Sequence, residues 1–162
     1  MKKFKDSLLQ QCEVIRQNSM YTAEAHHIIA SDKSKWSFWL EVVPSIASAV
    51  AISVLVVGEQ VPGWVGYVAI ATAAVSAVNS VLDPKSAYYT HLNAAKLFTL
   101  LKNEAQSLKD TFSAEMTEQE LHLAVEKLQS KYDAVVIATP PTDDKSFEKA
   151  QKRIKQGVHN PD

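Results

Sequence analysis

One carboxylate stands inside the most apolar part of this chain. Glu41, Ser45 and Ser48 recur at i, i+4 and i+7, one stripe of a helix, and Thr72, Ser76, Asn79 and Ser80 repeat the pattern at i, i+4, i+7 and i+8, with Asp83 continuing it. Oxygen-bearing stripes on apolar helices serve one of two ends. They can pack helices together, which the small residues Ser45, Ala49 and Ser53, and Ala69, Ala73 and Ala77, each four apart, would allow. They can also line a water path: two helices enclose nothing, but several copies would surround a pore with rings of oxygen acceptors, a lining that favours cations. Serine and threonine hydroxyls can bond to their own helix, which for the individual side chains favours packing.

The remaining reactive residue types assemble no catalytic pattern. His26 and His27 are adjacent, so on a helix they point to different faces and cannot act as an i, i+4 metal pair, and Cys12 has no second thiol. His91 and His122 are accompanied by no nucleophile elbow, glycine-rich phosphate loop or paired catalytic carboxylates. The sequence therefore implies neither an enzyme nor a cofactor or metal. His26, His27 and His91 flank the apolar segments, where a proton-sensitive gate would sit, although core or solvated histidines are the simpler reading.

The elements that carry the stripes emerge from the distribution of charge. Mean hydropathy is −0.11, an average typical of a soluble chain. Of the 35 charged residues, however, 10 precede Trp36, 23 follow Leu82, and only Glu41 and Glu59 lie between. Residues 36–57 and 61–82 are each 22 residues long. As helices they would reach about 33 Å, enough to cross a hydrocarbon core about 30 Å thick. A buried helical pair in a soluble core would need solvent faces on its helices, and residues 61–82 offer no charged one.

Gly58-Glu59-Gln60 is too short to separate the two helices, so they are expected to run antiparallel, with Pro62 in the first turn of the second. Arg16, Lys33, Lys35, Lys85, Lys96 and Lys102 flank the outer ends while the connector has no Lys or Arg, which places both termini in the cytoplasm. Trp36 and Trp39 at one level and Trp64 with Tyr67 at the other fit interfacial anchors. Glu41 would lie about 7.5 Å in from Trp36, and Pro44 is expected to bend the first span.

Around these spans the periodicity is helical. Phe4, Leu8, Cys12 and Ile15 mark a face, continued by Tyr21, Ala25 and Ile28 or Ile29 in a shifted register, on one long or kinked helix. Pro84 opens a helix whose face is Tyr88, Leu92, Ala94, Leu97, Leu101, Ala105, Leu108 and Phe112. Thr117 and Glu120 form a capping box for a third, with Leu121, Val125, Leu128, Tyr132 and Val135 inward. Pro140-Pro141 breaks the chain. A last helix starts near Thr142, with Asp143 and Asp144 at its positive end, Phe147, Ala150 and Ile154 as apolar contacts, Lys152, Arg153 and Lys155 at its negative end and Gly157 after it.

The predicted fold is an all-α membrane protein, an antiparallel two-helix transmembrane hairpin with N- and C-terminal cytoplasmic helices forming a small bundle. Residues 1–35 form the N-terminal cytoplasmic helix, 36–57 and 61–82 the spans, 58–60 the extracytoplasmic turn, 83–157 the cytoplasmic bundle and 158–162 a disordered tail. No apolar run follows the basic start, so no cleavable signal peptide is expected. One cysteine is consistent with a reducing compartment. A net charge of −1 gives no electrostatic basis for direct nucleic-acid binding.

Tyr21-Thr-Ala-Glu-Ala-His26-His27, the Trp36-rich entry to the hairpin, Tyr88-Tyr89-Thr-His91-Leu92-Asn-Ala-Ala-Lys96 and Pro140-Pro141-Thr-Asp-Asp-Lys-Ser-Phe147 together resemble the SLATT family, two-span effector domains associated with SMODS-type nucleotidyltransferases and SLOG nucleotide sensors. The resemblance covers about residues 10–156. It implies a prokaryotic anti-phage or conflict effector that homo-oligomerises and breaches the inner membrane when a partner senses infection. The partner implied is a neighbour-encoded nucleotide-signal enzyme, nucleotide sensor or reverse transcriptase, and with no room for a fused sensor the trigger is expected to come from another protein or a small ligand. The alternative is a non-conducting membrane anchor or scaffold that recruits a partner enzyme.

Overall fold

The computed structural model of the protein describes residues 2–57 and 62–157. The connector Gly58-Glu59-Gln60 and the tail from residue 158 onward lie outside the described residues. All described elements are helical: α1 (Lys2–Val57), α2 (Trp64–Leu82), α3 (Pro84–Asp110), a single 3₁₀ turn (Phe112–Ala114), α4 (Glu118–Ala138) and α5 (Asp144–Lys155). The chain divides into two compact units, one made of the residues up to Ala30 and from Tyr89 onward, the other of Ser31–Tyr88.

The expected N-terminal helix and first span are one element. No Gly or Pro interrupts α1 before Pro44, so nothing removes a backbone hydrogen bond between the charged and apolar parts of the helix, and α1 continues through Pro44 itself.

In the first unit, α1, α3 and α4 share one core. Leu8, Cys12, Ile15 and Ala23 meet Phe98, Leu101, Ala105 and Leu108 of α3 and Leu121, Val125 and Leu128 of α4. Ala25 and Ile28 form a second cluster with Ala150 of α5. The inward face of α3 differs in detail from the expected one. Phe98 is buried and Leu97 is 41% exposed, because at 100° per residue Ala94, Phe98, Leu101, Ala105 and Leu108 fall within about 40° of one line and Leu97 lies about 60° off it. Phe112, placed on the same face from its spacing, sits past the end of α3 in the 3₁₀ turn and is exposed. Phe4 is also largely exposed, although its ring stacks on His122 at 5.9 Å.

Caps fix the ends. Thr117 and Glu120 form the complete capping box of α4, and Oε2 of Glu120 accepts from the Thr117 amide at 2.9 Å. That backbone bond, with the Thr117 hydroxyl, holds the Glu120 carboxyl below its usual range. The last helix starts two residues later than expected: Asp143 is its N-cap, accepting from the Ser146 amide at 2.8 Å, and its carboxyl is lowered by that bond. Gly157, at φ +87°, follows α5 in the left-handed conformation that suits glycine.

Charged groups bridge the helices of this unit. Glu13 is held by Arg16 at 2.6 Å and by Lys109 of α3 at 2.9 Å. The Arg16 hydrogen bonds keep the Glu13 carboxyl far below the ordinary carboxylate range. The buried Glu24 carboxylate accepts from the Arg153 guanidinium of α5 at 2.9 Å.

Candidate functional site in the apolar helices

The apolar half of α1 and all of α2 are long and apolar enough to cross a membrane, and only 17% and 6% of their most apolar stretches are buried. A hairpin in a soluble core would show the opposite. Ile46, Ile52 and Ile70 are each at least 60% exposed, and Val81 is 84% exposed. Such side chains require an apolar solvent or an apolar partner. Trp36 and Trp39 at the start of the apolar part of α1, and Trp64 and Tyr67 at the start of α2, are all exposed, with the Phe38 and Trp39 rings edge to face at 5.7 Å.

The first stripe is better knit than its spacing revealed. The Ser37 hydroxyl, buried one turn before Glu41, donates to Glu41 Oε1 at 3.2 Å. Ser45 donates to the Glu41 carbonyl at 2.6 Å and Ser53 to the Ala49 carbonyl at 2.8 Å, so both hydroxyl protons are spent on their own helix. Their lone pairs remain as acceptors. Ser37 was legible as one more step of the same period, four residues before Glu41, but it lies close to Trp36 and Phe38, where an aromatic belt dominates the reading.

Glu41 and Ser45 are exposed and Ser48 is half-buried. On α2, Thr72 and Asn79 are half-buried while Ser76 and Ser80 are exposed. Among the described residues no hydrogen bond joins one stripe to the other. Asp83, expected to extend the α2 stripe, serves the backbone instead. Its amide donates to the Asn79 carbonyl as it closes α2 at φ 36°, and its Oδ1 accepts from the Ser86 amide at 3.1 Å in the first turn of α3.

The histidines separate as adjacent helical residues must. His27 is exposed, whereas His26 is 1% exposed, stacked on Phe98 at 5.8 Å, with its Nδ1 2.9 Å from Nδ1 of His91. Burial, aided by the charges His91 and His27 would carry, pushes the His26 imidazole down to about 4. No spacing in the sequence announces this pair, since its members are 65 residues apart. Burial raises the Cys12 thiol, which makes it a poor nucleophile. No group of three or more His, Cys, Asp or Glu side chains suited to a metal occurs among the described residues.

No curated protein and no solved structure matches the chain. Residues 8–159, nearly the whole sequence, match the SMODS and SLOG-associating 2TM effector domain family 4. The family description and the two exposed apolar helices agree on a membrane protein of the effector type, with SMODS and SLOG proteins as the associates that description names. The chain belongs to the SMODS and SLOG-associating 2TM effector domain family 4.

Proposed function

We propose that this protein is a prokaryotic anti-phage or conflict-defence effector whose antiparallel transmembrane hairpin oligomerises in the inner membrane. In this reading both termini are cytoplasmic, the flanking helices form a small cytoplasmic bundle, and a neighbour-encoded nucleotide-signal enzyme, nucleotide sensor or reverse transcriptase supplies the trigger. The assembled copies form a pore or disrupt the bilayer.

Glu41 carries the proposal. It is an exposed carboxylate on an apolar helix, and the hydrogen bond it accepts comes from Ser37 on that same helix. Against lipid a charged side chain costs about 2.5–3.5 kcal/mol at the bilayer centre and less toward the interface. Turning Glu41 toward a wet lumen shared by several copies removes that cost, and brings Ser45, Ser48 and the Thr72, Ser76, Asn79 and Ser80 stripe to the same surface.

Induced expression with the activator should depolarise cells, and Glu41→Ala or paired Ser76→Leu and Asn79→Leu should blunt both depolarisation and toxicity at equal membrane abundance. Normal membrane insertion with unchanged conductance and growth, even with the activator present, would refute the reading. The self-bonded hydroxyls of Ser45 and Ser53 favour the alternative of a non-conducting anchor or scaffold, with stripes that only pack helices. That alternative predicts that an unrelated two-span hairpin substituted for residues 36–82 preserves function, whereas the pore predicts its loss.

A further inference from the structure

Lys33, Trp36 and Leu40 follow one another at i, i+3 and i+7 along one face of α1, and with Leu82 and Pro84 they line a cavity of about 280 Å³. The order of chemistry along it is that of a phospholipid. A cation stands before the apolar stretch, an exposed indole follows, Leu40 lies a further turn along α1, and Leu82 is the last residue of α2. From Lys33 to Leu40 the helix rises about 10.5 Å, enough to pass from the headgroup layer, about 5–7 Å deep on each side, into the acyl region.

We infer that this cavity binds one anionic phospholipid, its phosphodiester on the Lys33 ammonium and the Trp36 indole N–H and an acyl chain along Leu40 and Leu82. The inference rests on the membrane-spanning reading of α1 and α2. The local charges leave Lys33 available. Asp32 lies 3.9 Å from Lys35, the Asp83 carboxylate is turned to the Ser86 amide, and Lys33 forms no ion pair among the described residues. Lys85, next to Pro84, adds positive charge at the same end. Trp36, 62% exposed in this structure, gains a partner for its N–H at the depth where indoles prefer to sit. A lipid so held would tie the start of the first span to the end of the second.

Full-length protein carrying Trp39→Phe and Trp64→Phe keeps Trp36 as its only tryptophan. In phosphatidylcholine vesicles, brominated phosphatidylglycerol should quench Trp36 at about fivefold lower mole fraction than brominated phosphatidylcholine, the contribution of one basic side chain at an anionic surface. Lys33→Gln should erase that preference and Lys33→Arg should keep it. A preference that is absent, or that survives Lys33→Gln, overturns the site. So does relief of quenching by millimolar inorganic phosphate at matched ionic strength, since the cavity would then take free phosphate and not a lipid. A companion protein retaining only Trp64 reports insertion independently of Lys33. Quenching of Trp64 by both lipids with an unselective Trp36 refutes the lipid site alone, whereas an unquenched Trp64 refutes the membrane reading and the site with it.

Discussion

Acidification should unfasten the charged unit through His26. The ring is enclosed by Phe98 and by His91, whose Nδ1 lies 2.9 Å away, and two facing Nδ1 atoms can share only one proton, one ring donating to the lone pair of the other. Protonating both would set two N–H groups against each other in a buried site. Burial first, and the neighbouring His91 and His27 after it, hold the His26 imidazole at about 4 in the folded chain, against about 6.5 for an unperturbed histidine. Well above about pH 6.5 this imidazole is neutral in both the folded and the unfolded chain and adds no pH dependence to stability. Between 6.5 and 4 the unfolded chain takes up a proton that the folded one refuses, so stability falls as pH falls, and below about 4 the loss levels off. The full difference is about 3 kcal/mol, of which about 2 kcal/mol is lost by pH 5. Denaturant unfolding of the detergent-solubilised full chain, followed by helical circular dichroism, should show that decline in the wild type. His26→Gln cannot protonate, so its decline should be smaller by about 2 kcal/mol over the same interval, whatever it costs at neutral pH. Equal pH dependence in the two proteins, or a His26 titration by nuclear magnetic resonance close to 6.5, would refute the argument.

Two further substitutions probe the same unit with opposite signs. Arg153→Ala withdraws a half-exposed guanidinium from the buried Glu24 carboxylate, and breaking such a pair by removing one partner should cost about 2 kcal/mol, below the range for pairs buried on both sides. Adding Glu24→Gln should recover part of that loss in the same unfolding assay, and no recovery would show that charge is not what Arg153 supplies. Ser19→Ala should raise stability by about 1 kcal/mol, because the Ser19 hydroxyl is buried with no hydrogen-bond partner among the described residues. A loss on removing it would mean that the hydroxyl is satisfied in solution.

What the sequence disclosed divides along physical lines. Local chemistry was readable: the Thr117 and Glu120 box, the Pro140-Pro141 break and the helical periods each depend on residues within a few positions of one another. That Trp36, Trp39, Trp64 and Tyr67 stand at the starts of apolar segments was readable for the same reason. Rotations of one helical position were not, as Leu97 and Phe98 illustrate, since both are apolar and only the neighbouring helices decide which turns inward. Long-range polar pairs were also invisible. Nothing in the spacing of His26 and His91, or of Glu24 and Arg153, distinguishes them from solvated side chains. Of the candidate stripe, the periodicity was plain, but the tie from Ser37 to Glu41 and the self-bonding of Ser45 and Ser53 needed atomic positions.

The two units treat polar groups in opposite ways, and that contrast bears on mechanism. In the charged unit two buried ionisable side chains have partners from other helices: Glu24 meets Arg153, and His26 meets His91. In the apolar unit, Glu41 is served by its own helix and faces outward, as do Ser45, Ser76 and Ser80. The charged unit therefore pairs its buried Glu24 and His26 across helices, whereas the apolar unit leaves acceptor oxygens exposed on helices suited to lipid. If α1 and α2 span a bilayer as proposed, burying those oxygens against lipid is unfavourable, which favours association of several copies. The same oxygens then admit two assemblies, a dry one in which small residues close the gap and a wet one in which water fills it. The difference between them rests on Glu41, because hydroxyls can be satisfied within their own helices in either case, whereas the one bond from Ser37 leaves the charge of the Glu41 carboxylate uncompensated. Replacing Glu41 with Gln removes the charge and keeps the acceptor. If the assembly is wet, conductance and cation preference should fall while oligomerisation measured by crosslinking persists; if it is dry, crosslinking should rise and conductance should be absent from the start.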